Sequence, residues 1–244
     1  RDEILGLPPE EQVRRVQAKM SEINGVEVIV PGAGGIIDGE WRKTQVIARD
    51  PAAIPAVRFL YPLAGLRLQW LNAGGGAMDL EPLRGMPLRE LLCQSPRVRD
   101  LGPLRGMPLR ALYMAGTSAT DLSALSGLPL EVLECSGRGI SDVTPLAGMP
   151  LKSLSLAGTG VQDLSPLRGL PLESLNCAVT KVQSLEPLRG LRLSRLVCYS
   201  TAIADLSPLQ GMPLAYLDCH GTGVSDLSPL AGAPLTTLLV FDTP

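Results

Sequence analysis

A period of 21 residues governs this chain from residue 80 onward, with no insertion or deletion between units. In the unit formed by residues 164–184, Leu172, Leu175, Cys177 and Val182 occupy places that are apolar in nearly every unit. A fixed period of this length indicates a solenoid, in which each unit is one coil that buries its apolar side chains against the next coil. The units begin at Leu80, Leu101, Leu122, Val143, Leu164, Leu185, Leu206 and Leu227.

The spacing inside one unit predicts the path of each coil. Leu172, Leu175 and Cys177 follow the leucine-rich-repeat pattern, with a short strand around Leu175. Ser165 and Pro166 suit the start of a helical turn, with the serine as its cap, and Gly169 suits its end with a positive φ. A 21-residue coil has room for a single 3-10 turn there. We therefore predict an α/β solenoid, a right-handed leucine-rich-repeat coil with a parallel concave β-sheet and short 3-10 turns on its convex side.

Residues 1–57 do not repeat and are predicted to form an N-terminal cap. Pro8 and Pro9 read as the start of a helix that ends at Asn24–Gly25. Strands are predicted over residues 26–30 and from Trp41 to Ala48, joined by a glycine-rich turn from Pro31 to Gly39. A helix followed by such a β-hairpin would cover the apolar end and the open strand edge of the first coil. The apolar face of the helix comprises Val13, Val16, Met20 and Ile23.

Residues 58–244 form the predicted solenoid, with one degenerate repeat and eight 21-residue repeats, the last of them incomplete. In the degenerate repeat, about residues 60–79, the marker residues lie 20 positions before their counterparts, so one residue has been lost near Gly74–Gly76. The chain stops inside a repeat at Thr243–Pro244, and we expect an open final coil there to accept either further chain or a second copy. The markers of the degenerate repeat are Pro62, Leu63, Gly65, Leu68 and Leu71.

Two columns of side chains recur at repeat spacing and are expected to be buried. The five cysteines lie 42, 42, 21 and 21 residues apart, which is the spacing of a core column with free thiols. A threonine column occupies the place where such repeats usually carry asparagine, with Pro96 and Arg138 as exceptions; we expect its hydroxyls to donate to the backbone of the adjacent coil. The columns are Cys93, Cys135, Cys177, Cys198 and Cys219, and Thr117, Thr159, Thr180, Thr201, Thr222 and Thr243.

Composition argues against several classes of function. The chain carries 22 basic and 24 acidic residues and no basic run, so a surface that tracks nucleic-acid phosphates is not expected. No apolar run is long enough to span a bilayer, and no signal peptide is visible. Because the sequence begins with Arg1, we expect a processed or trimmed piece. The sequence leaves open both a cytoplasmic and an extracytoplasmic location, and both a monomer and a weak homo-oligomer.

The unit DLSPLxGxPLxxLxCxxTxV resembles the repeats of bacterial leucine-rich-repeat proteins, several of which carry them beside a serine/threonine kinase module. The segment from Leu7 to Val13, followed by Ile23–Asn24, resembles the segment that precedes the repeats in that group. The resemblance implies a sensor or scaffold module of a bacterial signalling protein. The kinase motifs themselves are absent from this sequence: there is no glycine-rich loop followed by a strand lysine, and no His-Arg-Asp.

Catalytic and metal-binding motifs are not expected. His220 is the single histidine, and it stands beside Asp218 and Cys219. Strand alternation turns Asp218 and His220 to the concave face and Cys219 into the core, so a Cys–His nucleophilic pair cannot form. A single histidine does not supply a typical zinc site. The segment Gly32–Gly35 lacks the Lys-Ser/Thr of a phosphate-binding loop, so we predict a hairpin turn there and no cofactor.

The variable positions that flank each central leucine form the predicted concave face. Three of the four tyrosines and one of the two phenylalanines lie on it, whereas its middle coils carry small and polar side chains. Tyr and Arg are enriched at binding hot spots. The main candidate site comprises Arg195, Tyr199, Tyr216, Asp218, His220 and Phe241, and a secondary one comprises Trp70, Leu92 and Tyr113.

These observations favour a non-catalytic module that binds a protein or peptide on its concave face, without inserting into a membrane through this segment. A structural element that self-assembles through the open end of the solenoid is the alternative. An enzyme is disfavoured because acid–base and metal-ligand constellations are missing.

Overall fold

The computed structural model describes residues 11, 14–15, 18–19, 28–29, 36–37, 40–41, 44–45, 47–48, 69–73, 77 and 79–244. The chain divides into two compact units, Arg1–Ala119 and Thr120–Pro244. Within the described residues, no helix combines the length and apolar character needed to cross a bilayer.

The first unit begins with a helix and two small antiparallel strand pairs. Residues 11, 14–15 and 18–19 are helical, as predicted. β1 (Val28–Ile29) pairs antiparallel with β5 (Ile47–Ala48), which confirms the predicted hairpin at its base. The predicted helix ends (Pro8–Pro9 and Asn24–Gly25), its apolar residues Val13, Val16, Met20 and Ile23, and Gly32–Gly35 lie outside the described residues.

The segment inside this hairpin differs from the prediction. Ile36–Ile37 forms strand β2, not part of a turn, and it pairs antiparallel with β3 (Glu40–Trp41). The predicted second strand is therefore divided into β3, β4 (Thr44–Gln45) and β5. The physical reason is local: two isoleucines and a tryptophan flank Asp38–Gly39, and Asp-Gly is a two-residue sequence that favours a tight hairpin.

β4 joins a parallel sheet with the strands of the first coils. It pairs with β6 (Trp70–Asn72), which pairs with β7 (Glu90–Leu92), which pairs with β8 (Ala111–Ala115). The pair Leu71–Leu91 joins residues 20 positions apart, as the degenerate repeat predicts. Its other markers, Pro62, Leu63, Gly65 and Leu68, and the Gly74–Gly76 loop lie outside the described residues.

The second unit contains one parallel sheet in which neighbouring strands are in register. Every pairing joins residues 21 positions apart, as in the row Leu154, Leu175 and Leu196. Each coil therefore repeats the geometry of the one before, and each unit has the predicted leucine-rich-repeat solenoid fold. The strands are β9 (Val132–Ser136), β10 (Ser153–Ser155), β11 (Ser174–Asn176), β12 (Arg195–Val197), β13 (Tyr216–Asp218) and β14 (Thr237–Leu239).

The core is built from the predicted columns. The central leucines Leu154, Leu175 and Leu196 have 1%, 0% and 0% of their surface exposed. All five cysteines are buried and are free thiols, as predicted. Since a strand side chain alternates between faces, the residues on either side of each central leucine lie on the opposite side of the sheet. We call this side the open face; it is the one predicted to be concave.

A 3-10 turn follows in each repeat, but its cap differs from the prediction. Ser165 does not cap the turn, because it is the first residue of the turn and Leu164 holds the cap position. The Ser165 amide donates instead to Asp163 Oδ1 at 2.8 Å. Gly169 ends the turn with φ of 73°, as predicted. The turns are Glu81–Leu83, Gly102–Leu104, Ser123–Leu125, Thr144–Leu146, Ser165–Leu167, Glu186–Leu188, Ser207–Leu209 and Ser228–Leu230.

The threonine column makes its hydrogen bonds inside each coil, so the predicted donation to the adjacent coil is wrong. Thr180 Oγ1 donates to the carbonyl of Cys177, three residues earlier, at 2.6 Å, and Thr201 and Thr222 repeat this bond with Cys198 and Cys219. The threonine side chain is short, so the carbonyl at the end of its own strand is the acceptor within reach. Thr117 Oγ1 is buried and has no hydrogen-bond partner among the described residues.

Candidate functional site

Strands β12 and β13 hold the centre of the main candidate site. Leu196 and Leu217 of these strands are fully buried. Alternation along the strands therefore turns Arg195 and Tyr216 to the open face of the sheet. The two residues are register neighbours, and the guanidinium carbon of Arg195 lies 3.7 Å from the centroid of the Tyr216 ring. This is a cation–π contact, which holds both side chains in one place on the surface.

Three rings form a continuous stack at the carboxyl ends of the last strands. The rings of Tyr199 and His220 lie 4.5 Å apart with an interplanar angle of 10°, and those of His220 and Phe241 lie 4.4 Å apart at 15°. These spacings are close to the separation of neighbouring strands, so the in-register repeat places the rings face to face. Phe241 remains 55% exposed at the end of the stack.

Asp218 orients the central ring of this stack. Its Oδ1 atom lies 2.6 Å from His220 Nδ1, which is within hydrogen-bond distance. The Asp218 side chain is only 8% exposed, and that of His220 is 24% exposed. Cys219, between them, has no exposed surface. The thiol therefore faces the core, as predicted, and the Asp–His pair has no thiol beside it on the open face.

All six residues of the main candidate site are brought together in the second unit. We call them the aromatic patch: Arg195, Tyr199, Tyr216, Asp218, His220 and Phe241. Their contacts form two groups, the Arg195–Tyr216 pair and the stack of rings with its carboxylate. No group of three or more His, Cys, Asp or Glu side chains in the described residues is arranged to hold a metal ion.

The secondary candidate is assembled only in part. Leu92 and Tyr113 are register neighbours on β7 and β8, so their side chains lie side by side. Trp70 pairs with Glu90, two positions along the strand from Leu92. All three are half-buried, on the open face of the first unit.

Small and polar side chains occupy the same face of β10 and β11. They set the aromatic patch apart from the coils that precede it, because no aromatic ring stands among them. These residues are Ser153, Ser155, Ala157, Ser174, Asn176 and Ala178.

Val179 was not among the predicted site residues. This residue is 52% exposed and has φ of 56°, in the left-handed region that a β-branched side chain rarely adopts. Its amide donates to the carbonyl of Tyr199, so Val179 borders the aromatic patch. A signal was present in the sequence: the equivalent positions carry Gly158, Ser200 and Gly221, and valine is the exception.

Three positions assigned to the open face are covered. Ala178 has no exposed surface, and Val197 and Asp218 each have only 5%. Ala178 stands in the coil before Tyr199, at the same repeat position, and Val197 is the register neighbour of Asp218. Small or apolar side chains at these two places are buried beside larger ones, which a pattern of variable positions does not reveal.

Comparison with known proteins gives a fold assignment. No protein-family model and no curated protein matches this chain. Among solved structures, an internalin (inlF) of Listeria monocytogenes matches with a TM-score of 0.71 and 22% identity, over 97% of this chain and 79% of that one. Internalin C2 (inlC2) of the same organism matches with a TM-score of 0.64 and 25% identity, over 92% of both chains.

A third match is weaker. The functional domain of InlJ from Listeria monocytogenes, described as including a cysteine ladder, has a TM-score of 0.50 and 19% identity, over 84% of this chain and 48% of that one. Together with the 21-residue register of the strands and the single 3-10 turn in each repeat, these matches identify the fold: the chain is a leucine-rich-repeat solenoid similar in fold to bacterial internalins.

Proposed function

We propose that this chain is a non-catalytic module that binds a protein or peptide through the aromatic patch on the open face of its sheet. The observation that carries the proposal is the contact geometry of the patch, in which an arginine, two tyrosines, a histidine and a phenylalanine lie beside coils with small polar side chains. Aromatic and arginine side chains held rigidly at one place suit a binding hot spot, because little conformational entropy is lost when a partner binds.

The setting of this module follows from the resemblance of its repeats. Similar repeats occur in bacterial proteins beside serine/threonine kinase modules, and the likeness in fold to internalins supports a bacterial source. We therefore assign the module to a bacterial signalling protein, as its sensor or scaffold part. The secondary group, Trp70, Leu92 and Tyr113, is a second contact region in this proposal.

A non-catalytic role is supported by the geometry around His220. A nucleophilic mechanism of the Cys–His type needs the thiol and the imidazole on the same side of the strand. Cys219 has no exposed surface, whereas His220 lies on the open face with its Nδ1 atom held by Asp218.

The proposal is tested by selection from a library of random peptides displayed on phage. Peptides enriched on the wild-type protein are expected to lose binding to Tyr199→Ala/Tyr216→Ala, with the melting temperature of the variant nearly unchanged because both side chains lie outside the core. Val132→Ala is the matched control, since this side chain lies on the open face of β9 and belongs to neither contact region, and it is expected to retain binding. Peptides that bind the double variant as well as the wild type would refute the role of the patch.

A further inference from the structure

Within the described residues, the carboxylate of Asp218 accepts hydrogen bonds through only one of its two oxygens. The side chain is 8% exposed, and its register neighbours on either side are Val197 and Leu239, both apolar. Oδ1 accepts from His220 Nδ1 at 2.6 Å and, at 3.4 Å, from the His220 amide. Among the described residues no hydrogen bond reaches Oδ2. A carboxylate removed from water in this way is stabilised strongly by a further cationic donor.

The rings beside Asp218 suit the same kind of donor. Tyr199, His220 and Phe241 form a stack next to the carboxylate, and aromatic surface attracts a guanidinium or an ammonium group. The protein already shows this chemistry on the same two strands, where the guanidinium of Arg195 on β12 lies over the ring of Tyr216 on β13 at 3.7 Å. The open face of β12 and β13 therefore combines the aromatic rings and the carboxylate that bind planar cations.

The charges of the residues that directly follow each central leucine also favour a cationic ligand. From β9 to β13 these residues, the central column of the open face, are Glu134, Ser155, Asn176, Val197 and Asp218. This column carries an acidic side chain at each end and no basic one. The positive charge of Arg195 lies in the neighbouring column, over an aromatic ring. A partner segment with positive charge would complement this surface.

We infer that Asp218 and the ring stack beside it receive a cationic side chain of the partner, arginine in preference to lysine. This inference rests on the proposed function and names the chemistry of its ligand. Arginine is preferred because its planar guanidinium donates two parallel hydrogen bonds to a carboxylate, stacks on rings and is more weakly hydrated than an ammonium group.

The single histidine makes a direct experiment possible. His220 is the only histidine in the chain, so its imidazole carbon-bound protons give one unambiguous set of NMR signals next to Asp218. The probe is N-acetyl-arginine methylamide, titrated at constant pH into the protein labelled with ¹³C-histidine. The control ligand is the citrulline analogue, which has nearly the same shape and no charge.

The arginine probe is expected to shift the His220 signals saturably, with an affinity about tenfold or more above that of the citrulline analogue, as for loss of one charge-assisted hydrogen-bonding group. The lysine analogue is expected to fall between them. Equal responses to the arginine and citrulline probes, or no saturable shift with either, would overturn the inference. This comparison uses the wild-type protein alone and so does not depend on any variant folding.

A pair of variants locates the site. Asp218→Asn, which keeps the shape and removes the charge, is expected to weaken the arginine response about tenfold. Glu134→Gln makes the same change four coils away and is expected to leave it unaltered. An arginine response that survives Asp218→Asn would assign the cation to another group and overturn the inference.

The inference and the proposed function fail in different ways. Peptides that depend on Tyr199 and Tyr216 but carry no arginine or lysine, together with a null titration, would overturn the inference and leave the proposed function standing. An arginine response without any peptide that depends on the tyrosines would overturn the proposed function and the assignment of the cation to a protein partner.

Discussion

Cys177 shows how a core position controls the chemistry of a side chain. Burial raises the pKa of the Cys135 and Cys177 thiols to about 12, because the thiolate would lose its hydration in the core. For the same reason the pKa of Cys93 and Cys219 rises to about 11, and that of Cys198 lies well above its ordinary value. The column therefore stays protonated, and its thiols are expected to be unreactive while the coils are folded.

The raised pKa values predict a loss of stability in alkali. The thiols ionise in the unfolded chain near pH 9.0 but in the folded chain only at higher pH. Between these pH values the folded chain therefore binds more protons than the unfolded chain. Their contribution to stability is complete below about pH 9 and declines as the pH rises toward 11 and 12. Chemical denaturation at stepped pH should show this decline, and Cys177→Ala should reduce its slope.

The burial of the cysteine column can also be tested with a thiol reagent at constant pH. An aromatic disulfide reagent should modify Cys177 only at the rate of unfolding. Rapid modification in the native state would contradict the burial of this column and the orientation of every strand.

Two threonines in the same column should respond oppositely to one substitution. Thr180→Val removes the hydrogen bond from Oγ1 to the Cys177 carbonyl and should lower the free energy of unfolding by about 1 kcal/mol. Thr117→Val removes a buried hydroxyl that has no partner, so stability should stay constant or rise. Urea unfolding of both variants measures the difference. Equal losses would show that the Thr117 hydroxyl has a partner in solution.

At the scale of the element, an aspartate lies two residues before the first residue of several 3-10 turns and accepts a hydrogen bond from the amide of that residue. Asp205 accepts from the Ser207 amide with Oδ1 at 2.7 Å and from the Ser207 hydroxyl with Oδ2 at 2.8 Å. Both hydrogen bonds hold the pKa of Asp205 below its ordinary value, because they stabilise the ionised carboxylate. The bond from the backbone amide has the larger effect, and the bond from the hydroxyl has the smaller one. Asp226 repeats this arrangement with Ser228. This is an Asx turn, in which the aspartate side chain accepts from the backbone two residues later and so bends the chain just before the 3-10 turn starts.

The lowered pKa of Asp205 predicts sensitivity to acid. The carboxylate stabilises the folded state above its ordinary pKa of 3.8, and this contribution is lost as the pH falls through the lowered folded value. Asp205→Asn keeps an oxygen acceptor for the amide but does not titrate, so the decline in stability below pH 3.8 should be shallower. Asp205→Ala loses the acceptor as well and should be less stable than Asp205→Asn at neutral pH. Thermal unfolding at stepped pH measures both effects.

Elements that depend on spacing were predicted well, and elements that depend on local competition were not. The strand around Leu175 and the turn that ends at Gly169 follow from positions in the repeat. The strand Ile36–Ile37 was missed because its glycine-rich surroundings favour a turn as strongly as its two isoleucines favour a strand. Ser165 was predicted as the cap, but Leu164 holds the cap position and Asp163 supplies the acceptor, because serine and aspartate both suit the start of a helical turn.

For the whole molecule, the common register predicts that coils can be removed as units. Deleting residues 164–184 joins Asp163 to Leu185 and places β10 beside β12 in the register that β11 now holds with each of them. The shortened chain should fold, with the same circular dichroism per residue, a lower free energy of unfolding and a smaller dependence on denaturant.

A deletion of 20 residues, 165–184, is the matched control. It leaves one extra residue between β10 and β12. In the degenerate repeat a one-residue difference still leaves Leu71 paired with Leu91, so the later coils should keep their register here as well. The extra residue should disturb the turn in which it lies, so this variant should unfold cooperatively but with a lower free energy of unfolding than the 21-residue deletion. Equal stability of the two deletions would show that the length of this segment carries little of the folding energy.

The candidate site was predictable as a set of residues but not as an arrangement. Alternation around Leu196 and Leu217 assigns Arg195, Tyr216 and Asp218 to one face from the sequence alone. Val179 was overlooked, because its exposure beside Tyr199 depends on a backbone conformation that valine rarely adopts.

The sequence by itself determined the period, the buried columns and the single 3-10 turn per coil, because a repeat of 21 residues allows only one set of positions to face inward. The tertiary structure decided what the outward residues do. It stacked His220 between Tyr199 and Phe241, placed Arg195 over Tyr216 and, within the part of the chain that the structure describes, left one oxygen of Asp218 without a donor. Such contacts depend on side-chain rotamers in adjacent coils, and packing in three dimensions selects those rotamers where the repeat pattern imposes no constraint.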